Sequence, residues 1–184
     1  MSFRYEIRLS GEGGQGLVLA GKILAEAGAI YEGINATQSQ SYGPEARGGA
    51  SRSEVILSDE DIDFPKAVQL DLLLALTQEA CDRYTGDLKP SGILLVDDDA
   101  VSHVPEGDYR VFRAPVIRTA REKVGREIVA NIVSLGIITR VANVVSEDSV
   151  REAILTRVPK GTEEINLKAF DFGLSMADEI LAQG

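Results

Sequence analysis

Three glycines carry the strongest chemical signal in this chain. The stretch Ser10-Gly11-Glu12-Gly13-Gly14-Gln15-Gly16 sets Gly11, Gly13 and Gly16 in the G-x-G-x-x-G spacing. It lies between an apolar run, Tyr5 to Leu9, and a helix-like run, Leu17 to Ile30. The pattern predicts a strand, a tight glycine turn and a helix start. Backbone N–H groups in the first turn of a helix lack intrahelical acceptors, and the helix dipole adds roughly half a positive charge there. Such a turn can hold a phosphate, pyrophosphate or carboxylate without a cationic side chain.

Other chemistry-bearing residues stand alone. His103, the only histidine, falls in an acidic loop between Asp97-Asp98-Asp99 and Glu106 and Asp108, with no companions for a catalytic triad or a zinc site. It reads as a surface residue. The Asp97-Asp98-Asp99 run could hold a metal but is better read as a solvated loop at a strand end. Cys81 lies beside Glu79 and Asp82, which would not lower a thiol pKa, and reads as a packing residue. Neither a G-x-S-x-G elbow nor a P-loop lysine is present.

The elements that must position the glycine turn follow from hydropathy patterning. The Leu17 to Ile30 helix carries only Lys22 and Glu26 as charged residues, so it is buried on most sides. Asn35 to Gln38 reads as a second strand. Ser51 to Leu57 reads as a third, polar in its first half like an edge strand. Between them runs Ser39-Gln40-Ser41-Tyr42-Gly43-Pro44-Glu45-Ala46-Arg47-Gly48-Gly49, dense in turn formers. Leu70 to Leu76 and Gly92 to Val96 are short continuous apolar runs, as in strands covered on both faces. Gln78 to Tyr84 fits a helix, and Arg110 to Arg113 a further strand. Pro115 can open a helix through Val124, and Glu127 to Val144 reads as a long buried helix. Ser146 is a good N-cap, with Glu147 and Asp148 in the first turn. Near the end, Leu167, Phe170, Leu174, Ala177 and Leu181 form one helical apolar stripe. The implied architecture is a single domain over residues 1–184: a three-layer α/β/α sandwich, Rossmann-like, with a mostly parallel sheet.

Bulk properties narrow the function. The chain has 184 residues, 44% hydrophobic and 26% charged, with a formal charge of −10. That is globular composition, and the acidity argues against nucleic acid as partner. A single cysteine excludes an internal disulfide and an iron–sulfur cluster ligated by this chain alone. The first residues lack an apolar signal core, and Ile128 to Val145, broken by Asn131, Ser134, Arg140 and Asn143, falls short of a membrane span. A cytoplasmic protein is expected. A dinucleotide enzyme should bring an acidic residue to the end of its second strand, but that strand ends Gln38-Ser39-Gln40, and Glu32 precedes the strand. This argues against an ordinary NAD site.

The glycine turn together with Ser41-Tyr42-Gly43-Pro44-Glu45-Ala46-Arg47-Gly48-Gly49 is far more specific than either part. The pair closely resembles the gamma subunit of the 2-oxoacid:ferredoxin oxidoreductases, most like the 2-oxoglutarate members. The likeness continues through Asp63-Phe64-Pro65, Asp71 to Leu76, Asn131 to Gly136 and Asn166 to Phe170, and so spans essentially the whole chain. The resemblance implies a share in thiamine diphosphate-dependent oxidative decarboxylation of a 2-oxoacid, with acyl transfer to coenzyme A and electrons passed to ferredoxin. It also implies that thiamine diphosphate and iron–sulfur clusters sit in partner alpha, beta and, where present, delta subunits. This chain would hold no cofactor and would be inert alone. The isolated chain could pair as a homodimer through apolar surface meant for its partners.

Coenzyme A carries phosphates that suit a helix N-terminus with a nearby arginine. The candidate binding residues are therefore Gly11, Gly13, Gly14, Gln15, Gly16 and Arg47. Arg47 could equally brace its loop through Glu45, and Gln15 could touch the ligand or brace the turn. Tyr42 and Pro44 read as rigidifying residues. Two other readings stand beside this one: a purely architectural subunit whose glycine turn serves packing, and a free-standing nucleotide-dependent oxidoreductase. Pyruvate and branched-chain relatives share the glycine loop, so 2-oxoglutarate rests on overall likeness.

Overall fold

A computed structural model describes residues 2–42 and 50–184. Its frame is one six-stranded sheet in the order β2-β3-β1-β4-β5-β6. The strands are β1 (Arg4–Glu12), β2 (Asn35–Tyr42), β3 (Ala50–Ser58), β4 (Leu70–Ala75), β5 (Leu88–Asp97) and β6 (Tyr109–Ala114). β1, β4, β5 and β6 pair in parallel, whereas β3 is antiparallel to both of its neighbours. β3 alone therefore runs backwards, and the mostly parallel, Rossmann-like sheet expected from the sequence is present.

The helices are α1 (Leu17–Glu26), α2 (Gln78–Tyr84), α3 (Val116–Thr119), α4 (Ala130–Ala142), α5 (Glu147–Arg157) and α6 (Glu163–Ala182). α1 and α3 each continue into a π-helical turn, over Ala27–Tyr31 and Ala120–Val124, and a 3-10 turn at Glu127–Val129 leads into α4. Leu72 and Leu74 of β4 point into the larger core, with α1, α4, α5 and α6. Leu70, Leu73 and Ala75 point into a smaller one with α2. This two-sided burial is why β4 and the centre of β5 read as unbroken apolar runs.

Three expectations need correction. β3 is an interior strand between β2 and β1, and the edge strands are β2 and β6. The polar first half of β3 does not face open solvent: Ser51, Ser53 and Glu54 are all buried. The C-terminal stripe is shifted as well, since Leu181 is 43% exposed and the buried face runs through Asn166, Ala169, Phe170, Gly173, Leu174 and Ala177. Small residues on α6 let it approach α4 more closely than leucines would. The Asp97 carboxylate, finally, is not solvated. It is fully buried, accepts from the Asp99 and Ala100 N–H groups at 3.1 and 2.9 Å, and from the Ile117 N–H at 2.9 Å. It ties the end of β5 to the start of α3. Asp97→Ala strands three backbone donors and should cost about 3 kcal/mol, read as the shift in a urea midpoint.

The second strand also runs further than expected, since pairing with β3 extends β2 through Ser39 to Tyr42, residues read from the sequence as loop. Other local expectations hold. Ser146 accepts from Ser149 N–H at 3.2 Å as the N-cap of α5. His103 is exposed. Cys81 is fully buried, and burial, followed by the nearby Asp82, pushes its thiol pKa up against the opposing pull of Arg113. Iodoacetamide should therefore label Cys81 at neutral pH only after denaturation; rapid labelling of the native chain would contradict this placement. Among the described residues no helix is long and apolar enough to cross a membrane.

Candidate anion-binding turn

The glycine turn has internal and outward-facing halves. Gly11 lies inside β1, paired with Ser51 of β3. The Gln15 side chain folds back across it, and Gln15 Oε1 accepts from the Glu12 N–H at 2.8 Å. A Cβ on Gly11 would collide with that amide, whose Cδ would lie at 3.2 Å. Gln15 therefore braces the turn, and Gly11 provides the space for it.

Gly16 also packs inward. It adopts the left-handed region (φ 74°) as the residue before α1, and its carbonyl accepts from Asn131 Nδ2 at 2.9 Å. A side chain there would meet that nitrogen at 2.5 Å. Asn131 is buried in the first turn of α4, and its Oδ1 accepts from the Ile132 N–H at 2.9 Å. One amide thus holds the N-termini of α1 and α4 side by side.

Gly13 and Gly14 face outward. Both are exposed, and a Cβ on either would meet nothing within 4 Å. Gly14 has φ 89°, a conformation costly for any residue with a Cβ. Neither α1 nor α4 has a side-chain N-cap. The first intrahelical bond of α1 is Ala20 N–H to Gly16 O, so the donors of Leu17, Val18 and Leu19 precede it. Gly14, Gln15, Ile117, Glu127, Ile128 and Ala130 line a cavity of about 210 Å³ between the two helix starts. That holds a phosphoryl group or a slender chain, not a whole nucleotide cofactor. Its one carboxylate, Glu127, lies 3.6 Å from Arg121, which offsets its charge toward an anion.

The second loop enters at the same end of the sheet. Tyr42 and Gly11 are both in register with Ser51, and Glu12 with Ala50, so the strand ends flanking residues 43–49 are level with the turn. Arg47 itself lies outside the described residues. Glu32, the alternative ribose partner, precedes β2 at the opposite end. There its carboxylate accepts from the Ser146 N–H at the start of α5. Partial burial works to raise its pKa, but hydrogen bonds from Ser146 and Ser149 outweigh this and hold it below the usual range. Among the described residues, the end of β2 therefore offers a dinucleotide ribose no acidic partner.

Sequence reasoning missed a buried charge cluster. Arg8 has a side chain only 4% exposed, donates to Glu54 Oε1 at 3.2 Å and to the Ala67 carbonyl at 3.1 Å, and pairs with Asp87. Polar residues at every second position, Glu6-Arg8-Ser10 and Arg52-Glu54, were the available signal, obscured by reading Tyr5 to Leu9 as one apolar run.

A family model described as pyruvate ferredoxin/flavodoxin oxidoreductase matches residues 6–176. The chain belongs to that family. It is 54% identical, over 98% of its length and 97% of the relative's, to the 2-oxoglutarate synthase subunit KorC of Methanocaldococcus jannaschii. The crystal structure of a keto/oxoacid ferredoxin oxidoreductase gamma subunit from Geobacter sulfurreducens PCA superposes with a TM-score of 0.90 at 55% identity, covering 97% of this chain and 98% of that one. A fold-level match at 23% identity and TM-score 0.84 covers 96% of this chain and 31% of a chain of the Magnetococcus marinus 2-oxoglutarate:ferredoxin oxidoreductase, solved with 2-oxoglutarate, coenzyme A and succinyl-CoA bound. The gamma-type resemblance read from the two loops is thereby borne out, and the chain is an oxidoreductase subunit of this family.

Proposed function

We propose that this chain is the gamma subunit of a 2-oxoglutarate:ferredoxin oxidoreductase, acting as one domain over residues 1–184 and contributing to the coenzyme A site. The outward-facing Gly13–Gly14 turn beside the open first turn of α1 carries the reading. Thiamine diphosphate and iron–sulfur clusters, which would supply the decarboxylation chemistry and the electron path to ferredoxin, would be held by partner alpha, beta or delta subunits. This chain's lone buried Cys81 cannot ligate a cluster. Its part is to present amide donors and two helix dipoles to a phosphate or to the pantetheine arm, with Arg47 as the candidate side-chain partner. The cavity accommodates only part of coenzyme A, so the rest of the ligand must lie against other subunits.

Gly13→Val tests this with little effect on the fold, because that position has open space and no positive φ. In the assembled complex it should raise the KM for coenzyme A roughly tenfold, about 1.4 kcal/mol, with the melting temperature of the isolated chain unchanged. An unchanged KM would remove the turn from the site. The bracing by Gln15 and the inward packing of Gly11 and Gly16 favour a second reading, in which the turn is purely architectural, and the same measurement separates the two.

A further inference from the structure

A buried amide sets where the outward half of the glycine turn lies. Asn131 is 3% exposed, in a helix whose other buried residues are mostly apolar. An amide in such surroundings is costly unless both of its ends are used. Here each end has a partner: Oδ1 accepts from the Ile132 N–H and Nδ2 donates to the Gly16 carbonyl, both at 2.9 Å. The first bond fixes the side chain on α4, so the second aims its donor at one point of the turn.

The turn depends on that point. Residues 12–15 close on themselves, with the Gln15 N–H donating to the Glu12 carbonyl at 3.4 Å and the Glu12 N–H to Gln15 Oε1 at 2.8 Å. Gly14 and Gly16, on either side of Gln15, both have positive φ, 89° and 74°. Glycine adopts either sign of φ readily, so these two positions are pivots unless something holds them. Among the described residues, Asn131 is the one side chain from outside the turn that hydrogen-bonds residues 13–16. Gly16 admits it, because a Cβ there would meet the Asn131 Cγ at 3.0 Å. The bond also ties together two walls of the cavity of about 210 Å³. Gly14 and Gln15, which lead into Gly16, form one, and Glu127, Ile128 and Ala130, which lead into Asn131, form the other.

We infer that Asn131 is a positioning residue for coenzyme A. It acts through the turn and not on the ligand, holding the Gly13–Gly14 segment at one distance from the start of α4. The inference rests on the coenzyme A reading of the turn. Backbone donors bind an oxygen only over a narrow range of distance and angle. A turn free to pivot at its glycines would have to be ordered at the moment of binding, and that cost would appear as lost affinity.

The test compares Asn131→Ala and Asn131→Asp with the parent in the assembled complex. Alanine removes both ends of the amide, whereas an ionised aspartate keeps the acceptor for the Ile132 N–H and has no donor for Gly16. Both variants should raise the coenzyme A KM roughly tenfold, with kcat at saturating coenzyme A and the KM for 2-oxoglutarate near parental. A purely structural asparagine would lower the amount of active complex, and so the apparent kcat, at unchanged coenzyme A KM; that result would overturn the assignment. So would a raised KM in Asn131→Asp alone, which would report charge and not tethering. Gly13→Val keeps the two readings apart. If it raises the KM and the Asn131 variants do not, only the positioning role falls; if none of the three does, both readings fall. For a variant too unstable to assemble, hydrogen–deuterium exchange of the isolated chain decides. An acceleration over the parent at residues 15–20 roughly tenfold greater than in α6 supports the tether. Turn and core loosening together would leave Asn131 a packing residue and overturn it.

Discussion

Gly173→Val should be the most damaging single substitution outside the charge cluster, costing about 4 kcal/mol or more and lowering the melting temperature on the order of 10 °C. The reason is backbone contact. A Cβ on Gly173 would lie 2.8 Å from the Gly136 Cα and 3.1 Å from the Ile137 nitrogen, and would also collide with the Val133 carbonyl. A Cβ on Gly136 would meet Gly173 Cα and Leu174 N, each at 2.8 Å. α4 and α6 therefore touch main chain to main chain, and no rotamer change relieves a side chain inserted there. The helices must separate, loosening the core around Phe170 of α6, which is fully buried. Thermal unfolding monitored by circular dichroism reads the effect. Gly13→Val, at a position with open space, supplies the control and should leave the midpoint in place. Parental stability in Gly173→Val would mean that α6 does not sit on α4 as described.

Arg8→Leu should cost about 3–5 kcal/mol, because it leaves the nearly buried Glu54 carboxylate without its main cation. The loss propagates. Arg8 also holds Asp87, just before β5, and the Ala67 carbonyl in the segment joining β3 to β4, so one guanidinium joins three stretches of chain. Removing the charge from both partners is less harmful than removing it from one. The double variant Arg8→Leu/Glu54→Gln should recover part of the deficit, since glutamine carries no charge yet can still accept from the Ala67 N–H. A double variant no more stable than Arg8→Leu alone would show that the cost comes from packing and not from an uncompensated carboxylate. The amides of residues 59–69, between β3 and β4, should also exchange faster in Arg8→Leu than in the parent.

The two halves of the glycine turn separate what is structural from what is available to a ligand. Gly11, Gln15 and Gly16 are committed to contacts within the chain, and Gly13 and Gly14 are left facing outward. Of the candidate residues named from the sequence, these two are the ones on which the coenzyme A proposal bears most directly.

Local patterning in the sequence determined the strand–turn–helix at residues 4–26, both faces of β4, α2 and the Ser146 cap, because each follows from near-neighbour rules of period, capping and turn chemistry. The pairing of the two loops was also legible, in the family likeness carried by their residues. Tertiary structure alone decided the rest. β3 proved interior although its sequence looks like an edge, because polar side chains can be buried when strands from elsewhere supply their partners, as Arg8 does for Glu54. The buried face of α6 was set by where Gly136 of a different helix allows close approach, and Gln15 and Asn131 gained their roles from a fold-back and a contact far along the chain. Period and propensity report how a residue relates to its sequence neighbours. Which distant backbone comes to lie against it depends on how the layers close, and that is where the braced half of the turn and the buried charge cluster around Arg8 were fixed.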